Sequence, residues 1–118
     1  MKALVTGVSG GIGGECAKIL KANGYEILTL KSRFENLNEL EKEVSELSQK
    51  HEISALLLCA GVGKFDPLEC QKADEIANLI ITSLLLKNLK SNHAHIIGIS
   101  SIEALRFSKF SCAYSASK

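Results

Sequence analysis

Tyr114 and Lys118 stand four residues apart in the segment CAYSASK. On a helix, residues at i and i+4 share a face, so the Lys118 ammonium would lie beside the Tyr114 phenol. An unperturbed phenol, with a pKa near ~10, is a poor base at neutral pH; a neighbouring cation stabilises the phenolate and lowers that value. Such a pair can move a proton to or from an oxygen atom of a bound molecule. Upstream, Ser101 closes the run IIGISS and Asn78 opens NLIITSLLL. Each also has a structural reading: serine before a loop serves as a cap, and asparagine in an apolar helix as a satisfied core polar group.

A second constellation lies near the N-terminus. TGVSGGIG, Thr6 to Gly13, joins an apolar strand to a helix. A phosphate can sit at such a junction, because backbone N–H groups and the helix dipole point at the anion and glycine lets it approach closely. The glycines Gly7, Gly11 and Gly13 give a GxxxGxG spacing rather than the commonest GxGxxG. Tight strand-to-helix turns also collect glycine for purely structural reasons.

The elements that must position these residues alternate along the chain. Short aliphatic runs at Lys2–Thr6, Tyr25–Leu30, Ile53–Ala60 and His95–Ser100 read as strands. Glu15–Ala22, Leu37–Gln49 and Ala73–Leu89 read as helices. The first helix ends at Asn23 and Gly24, residues able to take positive φ. The second points Leu40, Val44 and Leu47 inward and its glutamates outward. Ile53–Ala60 is apolar throughout, as expected of a strand covered on both faces. Strand–helix alternation without hairpin signals predicts an α/β fold, a parallel sheet with helices on both faces.

Together these motifs resemble the short-chain dehydrogenase/reductase family, whose order they follow along the whole chain. TGxxxGIG is similar to the family's cofactor turn, and Cys59-Ala60-Gly61 to its Asn-Ala-Gly, with cysteine in place of asparagine. Asn78, Ser101 and the complete YxxxK of Tyr114 and Lys118 match the family's active-site positions. The resemblance implies a Rossmann-like, doubly wound sheet carrying NAD(P), with hydride transfer between nicotinamide and a carbonyl or secondary alcohol. It implies Tyr114 as general acid/base, Ser101 orienting the substrate oxygen, Lys118 also holding the nicotinamide ribose, and Asn78 anchoring a water in a proton relay. It assigns cofactor contacts to Gly7, Ser9, Gly10, Gly11, Ile12, Gly13, Arg33, Cys59, Ala60 and Gly61, besides Tyr114 and Lys118. After the second strand stands Lys31-Ser32-Arg33, with no carboxylate before Glu35. A 2′-phosphate would suit Arg33 and Ser9, so the loop favours NADP over NAD; a merely solvated basic loop is the alternative.

Three departures from the family accompany the likeness. Cys59 removes a side-chain amide near the cofactor. Only one helix fits between Leu30 and Ile53, where the family usually has a helix, a strand and a second helix. Relatives are also longer, so residues 1–118 are expected to form the cofactor-binding N-terminal half of a longer enzyme, truncated after about four strands. The Tyr114–Lys118 turn, barely one turn at a chain end, is then expected to be poorly ordered and the chain to have little activity. Ile76–Leu89 is apolar nearly all round, with Ala77, Leu79, Ile80, Ile81, Leu84, Leu85 and Leu86 among its residues. This predicts burial on two sides and a homo-oligomer formed through that helix. The last strand would be an open edge.

Composition narrows the function classes. A hydrophobic fraction of 46%, a charged fraction of 23% and a formal net charge of +1 are those of a soluble globular domain. Lysines are dispersed, which argues against nucleic acid or an acidic membrane as partner. No run reaches membrane-spanning length. Cys16, Cys59, Cys70 and Cys112 form no CxxC pair, and His51, His93 and His95 lack ligand spacing, so no metal is expected. Reduced thiols suit a cytoplasmic protein. Two other readings remain: a non-catalytic dinucleotide-binding module or inactive fragment, and a sugar-nucleotide epimerase, whose GxxGxxG spacing Gly7, Gly10 and Gly13 also fit.

Overall fold

The alternating pattern folds as a four-stranded parallel sheet, in a computed structural model that describes residues 1–61, 77–101 and 105. In chain order the elements are β1 (Lys2–Thr6), α1 (Gly11–Ala22), β2 (Glu26–Leu28), α2 (Leu37–Lys50), β3 (Ala55–Leu58), α3 (Ala77–Ser91) and β4 (His95–Gly98). The sheet order is β2-β1-β3-β4. The chain therefore winds from β1 to one side, then crosses to the other, and a switch point opens between β1 and β3 at their C-terminal ends. Open α/β sheets bind their ligands in that crevice.

Side chains alternate across each strand, and each face has its own cover. Leu4, Leu28 and Leu56 pack under Leu40 and Val44 of α2 and Ile81, Leu85 and Leu89 of α3. Ala3, Val5, Ala55 and Leu57 face the other way, toward Cys16 and Leu20 of α1. The expected two-sided burial of β3 is realised, and the fold is the doubly wound, Rossmann-like α/β architecture read from the sequence. Among the described residues, one helix separates β2 from β3.

Local chemistry sets the element ends. Asn36 caps α2, its Oδ1 accepting from Glu39 N–H at 3.3 Å. Gly24, at φ +85°, lets the chain leave α1 and return as β2. Asn88 joins α3 to the turn before β3: its Nδ2 donates to the carbonyls of Ser48 and His51, both at 2.7 Å, and its Oδ1 accepts from Ile53 N–H at 3.1 Å.

Several boundaries differ from expectation. α1 begins at Gly11, inside the glycine turn, rather than at Glu15. β2 shrinks to Glu26–Leu28 because it is an outer strand paired only with β1. The start of the Ala73–Leu89 helix lies outside the described residues. On α3 the buried stripe is Ala77, Asn78, Ile81, Leu85 and Leu89, while Leu79, Leu84 and Leu86 are exposed. β4 is the other edge, and all four of its residues are exposed. Among the described residues no helix is long and apolar enough to cross a membrane.

Candidate functional site

The parallel register aligns Thr6, Leu58 and Gly98 in one row, so the segments that follow β1, β3 and β4 leave the sheet on the same side. At the end of β1 the chain turns through Gly7, at φ +70°. A methyl group built there would lie 2.7 Å from Ala60 N, so glycine is required by both conformation and space. Gly10 N–H donates to the Gly7 carbonyl at 3.0 Å, and α1 starts one residue later. Gly13 brings the helix against the strand end: a methyl group there would lie 2.2 Å from the Gly7 carbonyl oxygen. The Gly10 N-cap has no side chain to satisfy the first amides of α1. Those donors remain for water or an anion.

Thr6 ties this turn to its neighbours. It is only 2% exposed. Its Oγ1 accepts from Cys59 N–H and Ala60 N–H, each at 3.1 Å, and donates to Asn78 Oδ1 at 3.2 Å. Asn78 Nδ2 closes the ring by donating to the Ala60 carbonyl. One hydroxyl thus fixes the ends of β1 and β3 to Asn78 of α3. The Asn78 side chain is buried in this tie, which is the structural role weighed for it above.

Beside the tie lies a cavity of about 690 Å³. Its walls are Val5 and Thr6 at the end of β1, Gly7, Val8 and Ser9 of the turn, Thr29–Glu35 without Lys31 from the β2–α2 loop, and Ala60 and Gly61 after β3. Phe34 and Leu30 are also packed on the core, so the cavity has an apolar wall and a polar rim. Of the residues proposed from sequence, Gly7, Ser9, Arg33, Ala60 and Gly61 meet here. Gly10, Gly11, Ile12 and Gly13 form the adjoining helix start, and Cys59 contributes its amide to the Thr6 tie. Ser101 is half-buried beyond β4. Tyr114 and Lys118 lie outside the described residues.

Several contributors escaped the sequence reading, among them Thr6, Leu30, Phe34 and Glu35 as lining residues, and Glu43. The last corrects an expectation, since not every α2 glutamate faces outward. Glu43 Oε1 and Oε2 accept from Lys31 N–H and Ser32 N–H, both at 2.8 Å. Burial opposes its charge, but backbone donation from Lys31, the Ser32 hydroxyl and amide, and the Lys31 charge together hold its carboxyl below the usual range.

A family model described as short chain dehydrogenase matches residues 1–59, the part that builds the glycine turn and the β2–α2 loop and includes Thr6. The chain belongs to the short-chain dehydrogenase family. An uncharacterized oxidoreductase of Staphylococcus haemolyticus is 26% identical over 149 aligned residues, covering 98% of this chain and 64% of that protein. A solved 4-hydroxyisoleucine dehydrogenase, complexed with NADH and succinate, superimposes with a TM-score of 0.73 at 18% identity, over 98% of this chain and 65% of that one. An alcohol dehydrogenase from the archaeon Thermococcus sibiricus, complexed with 5-hydroxy-NADP, gives 0.66 at 20% identity, over 98% of this chain and 64% of that one. At such identities the two structures speak for the fold. This short-chain dehydrogenase sequence spans just under two-thirds of the length of each of these relatives.

Proposed function

We propose that residues 1–118 bind a nicotinamide dinucleotide and form the cofactor-binding part of an oxidoreductase acting on a small carbonyl compound or secondary alcohol. The observation that carries this reading is the cavity at the switch point, walled by the glycine turn, the β2–α2 loop and Ala60-Gly61. The residues fit such a cofactor: side chains are excluded at Gly7 and Gly13, and the first amides of α1 have no side-chain cap. In this reading those amides hold the pyrophosphate, and the apolar wall at Leu30 and Phe34 takes the adenine. Arg33 and Ser9 meet the ribose end, and a 2′-phosphate there favours NADP; Glu35 on the same wall works against it.

A bound nicotinamide supplies the hydride chemistry that no side chain can. Tyr114 then moves a proton at the substrate oxygen, Lys118 lowers the Tyr114 pKa and holds the ribose, and Ser101 orients that oxygen. Asn78 would act in a proton relay through groups that its tie to Thr6 and Ala60 leaves over. The exposed Leu79, Leu84 and Leu86 of α3 support a homo-oligomer built on that helix. A cytoplasmic setting suits Cys16 and Cys59, which are in no disulfide.

A second reading, a binding module without turnover, is favoured by one feature. Every described wall of the cavity comes from residues 5–61, so binding needs neither Ser101 nor the YxxxK pair. Fluorescence titration with NADPH and NADH tests both readings. Saturable binding supports a dinucleotide site, and substrate-dependent oxidation of the bound reduced cofactor separates enzyme from module. Absence of binding by either nucleotide refutes both.

A further inference from the structure

The loop that brings Arg33 to the cavity has few ties of its own. At its far end Asn36 N–H donates to the Arg33 carbonyl at 3.1 Å, and the Asn36 side chain caps α2. At its near end the anchor is Glu43, reaching back from the second turn of α2 to two successive amides. Glu39, Glu41 and Glu46 on the same helix are exposed, whereas Glu43 is half-buried against the loop. Successive backbone N–H groups form a small anion-binding concavity, and here a side chain of the protein fills it. Of the loop's two cations, Lys31 and Arg33, only Arg33 lines the cavity.

We infer that Glu43 is a positioning residue for the cofactor: its carboxylate clamps the Lys31 and Ser32 backbone so that Arg33 is presented to the ribose end of the cavity in one arrangement. The inference rests on the dinucleotide reading above and adds to it a residue that makes no contact with the ligand itself. The clamp works through populations. If releasing it leaves the loop in its binding arrangement one-tenth of the time, apparent affinity falls about tenfold. The loss should be larger for a ligand that engages Arg33 through a 2′-phosphate than for one that does not.

The test uses NADPH and NADH as probes, with dissociation constants measured for the wild-type chain, Glu43→Gln, Glu43→Ala, Arg33→Ala and the Glu43→Ala/Arg33→Ala double variant. Glutamine keeps the size of the side chain but turns an NH₂ group toward one of the two amides, so it releases half the clamp with little change in packing. Far-UV circular dichroism and urea midpoints establish that each variant is folded. The expected result is a roughly tenfold weaker NADPH affinity in Glu43→Ala, a smaller loss in Glu43→Gln, and in each variant a smaller loss for NADH than for NADPH. Because Glu43 acts through Arg33, the double variant should bind NADPH no more weakly than Arg33→Ala alone. A purely structural role would instead weaken both nucleotides equally and add to the Arg33 effect, and that outcome overturns the clamp. So does full NADPH affinity in folded Glu43→Gln and Glu43→Ala. If the wild-type chain binds neither nucleotide, the dinucleotide reading fails and the inference fails with it; binding by wild type with unaffected variants removes the inference alone.

Discussion

Replacing Thr6 with valine keeps the shape of the side chain and removes its hydroxyl. That hydroxyl makes hydrogen bonds with Cys59 N–H, Ala60 N–H and Asn78 Oδ1, all between 3.1 and 3.2 Å, at a residue 2% exposed. Each such bond contributes about 0.5–1.5 kcal/mol net, and a buried acceptor stripped of its donor adds a desolvation cost. Thr6→Val should therefore destabilise the chain by about 2–4 kcal/mol, a large share of the ~5–15 kcal/mol typical of a domain. With an m-value of ~2 kcal/mol/M in urea, the midpoint should fall by about 1–2 M at unchanged slope. Thr6→Ser is the control: it keeps the donor and acceptor and loses one methyl group, about 1 kcal/mol. Equilibrium urea unfolding followed by circular dichroism reads both. A Thr6→Val midpoint within about 0.2 M of wild type would refute the argument. Equal damage from valine and serine would locate the effect in packing rather than in the hydroxyl.

Three further outcomes are expected. Gly13→Ala places a methyl group 2.2 Å from the Gly7 carbonyl, against backbone that cannot yield cheaply; dinucleotide binding should be abolished, with a loss of at least ~3 kcal/mol in stability by urea unfolding. The chain should run as a dimer or larger species in light scattering at micromolar concentration, and a Leu79→Glu/Leu86→Glu double change on the exposed α3 face should shift it to monomer; a wild-type monomer would refute the interface. Glu43 has a lowered carboxyl pKa, so its contribution is fully present above the ordinary carboxylate range and is lost as pH falls through the folded value. The ratio of wild-type to Glu43→Gln NADPH affinity, in which the titration of the ligand's own 2′-phosphate near pH ~6 cancels, should accordingly stay flat from about pH 8 to about pH 5 and decline only in stronger acid; a decline of that ratio centred near neutrality would implicate another group.

The sequence carried the fold well, because hydrophobic period and glycine position are local signals. Ile53–Ala60 showed by composition that it is covered on both faces, and Leu40 and Val44 showed by spacing which side of α2 is buried. Strand ends were less legible. Apolar character extends through Tyr25–Leu30, but pairing with β1 lasts only from Glu26 to Leu28. Glycines hid the true start of α1, since helix propensity argues against them while contact with Gly7 requires them. The site was legible where glycine or charge marked it, at Gly7, Ser9, Arg33 and Gly61. It was illegible where a residue acts across the fold. Thr6 and Asn78 are 72 positions apart, Glu43 and Lys31 12 apart, and nothing in the local pattern of α2 separates Glu43 from its exposed neighbours.

In the proposed reading binding and chemistry fall to different parts of this chain, and that separation has a physical basis. The cavity depends on contacts that close within residues 1–61: the Gly13–Gly7 approach, the Thr6 bonds to Cys59 and Ala60, and the Glu43 clamp. Later elements enter through the Asn78 bonds, which reach the site by way of Thr6 and Ala60, and through the α3 side chains in the core on which Leu30 and Phe34 pack. Ser101, by contrast, follows β4, an edge strand whose four residues are all exposed. A perturbation on the first set should change nucleotide affinity. One at Ser101 should change turnover while leaving affinity nearly intact. Ser101→Ala, with NADPH affinity preserved, belongs to the second group; a matching loss of affinity would mean that the cavity depends on the β4 side after all.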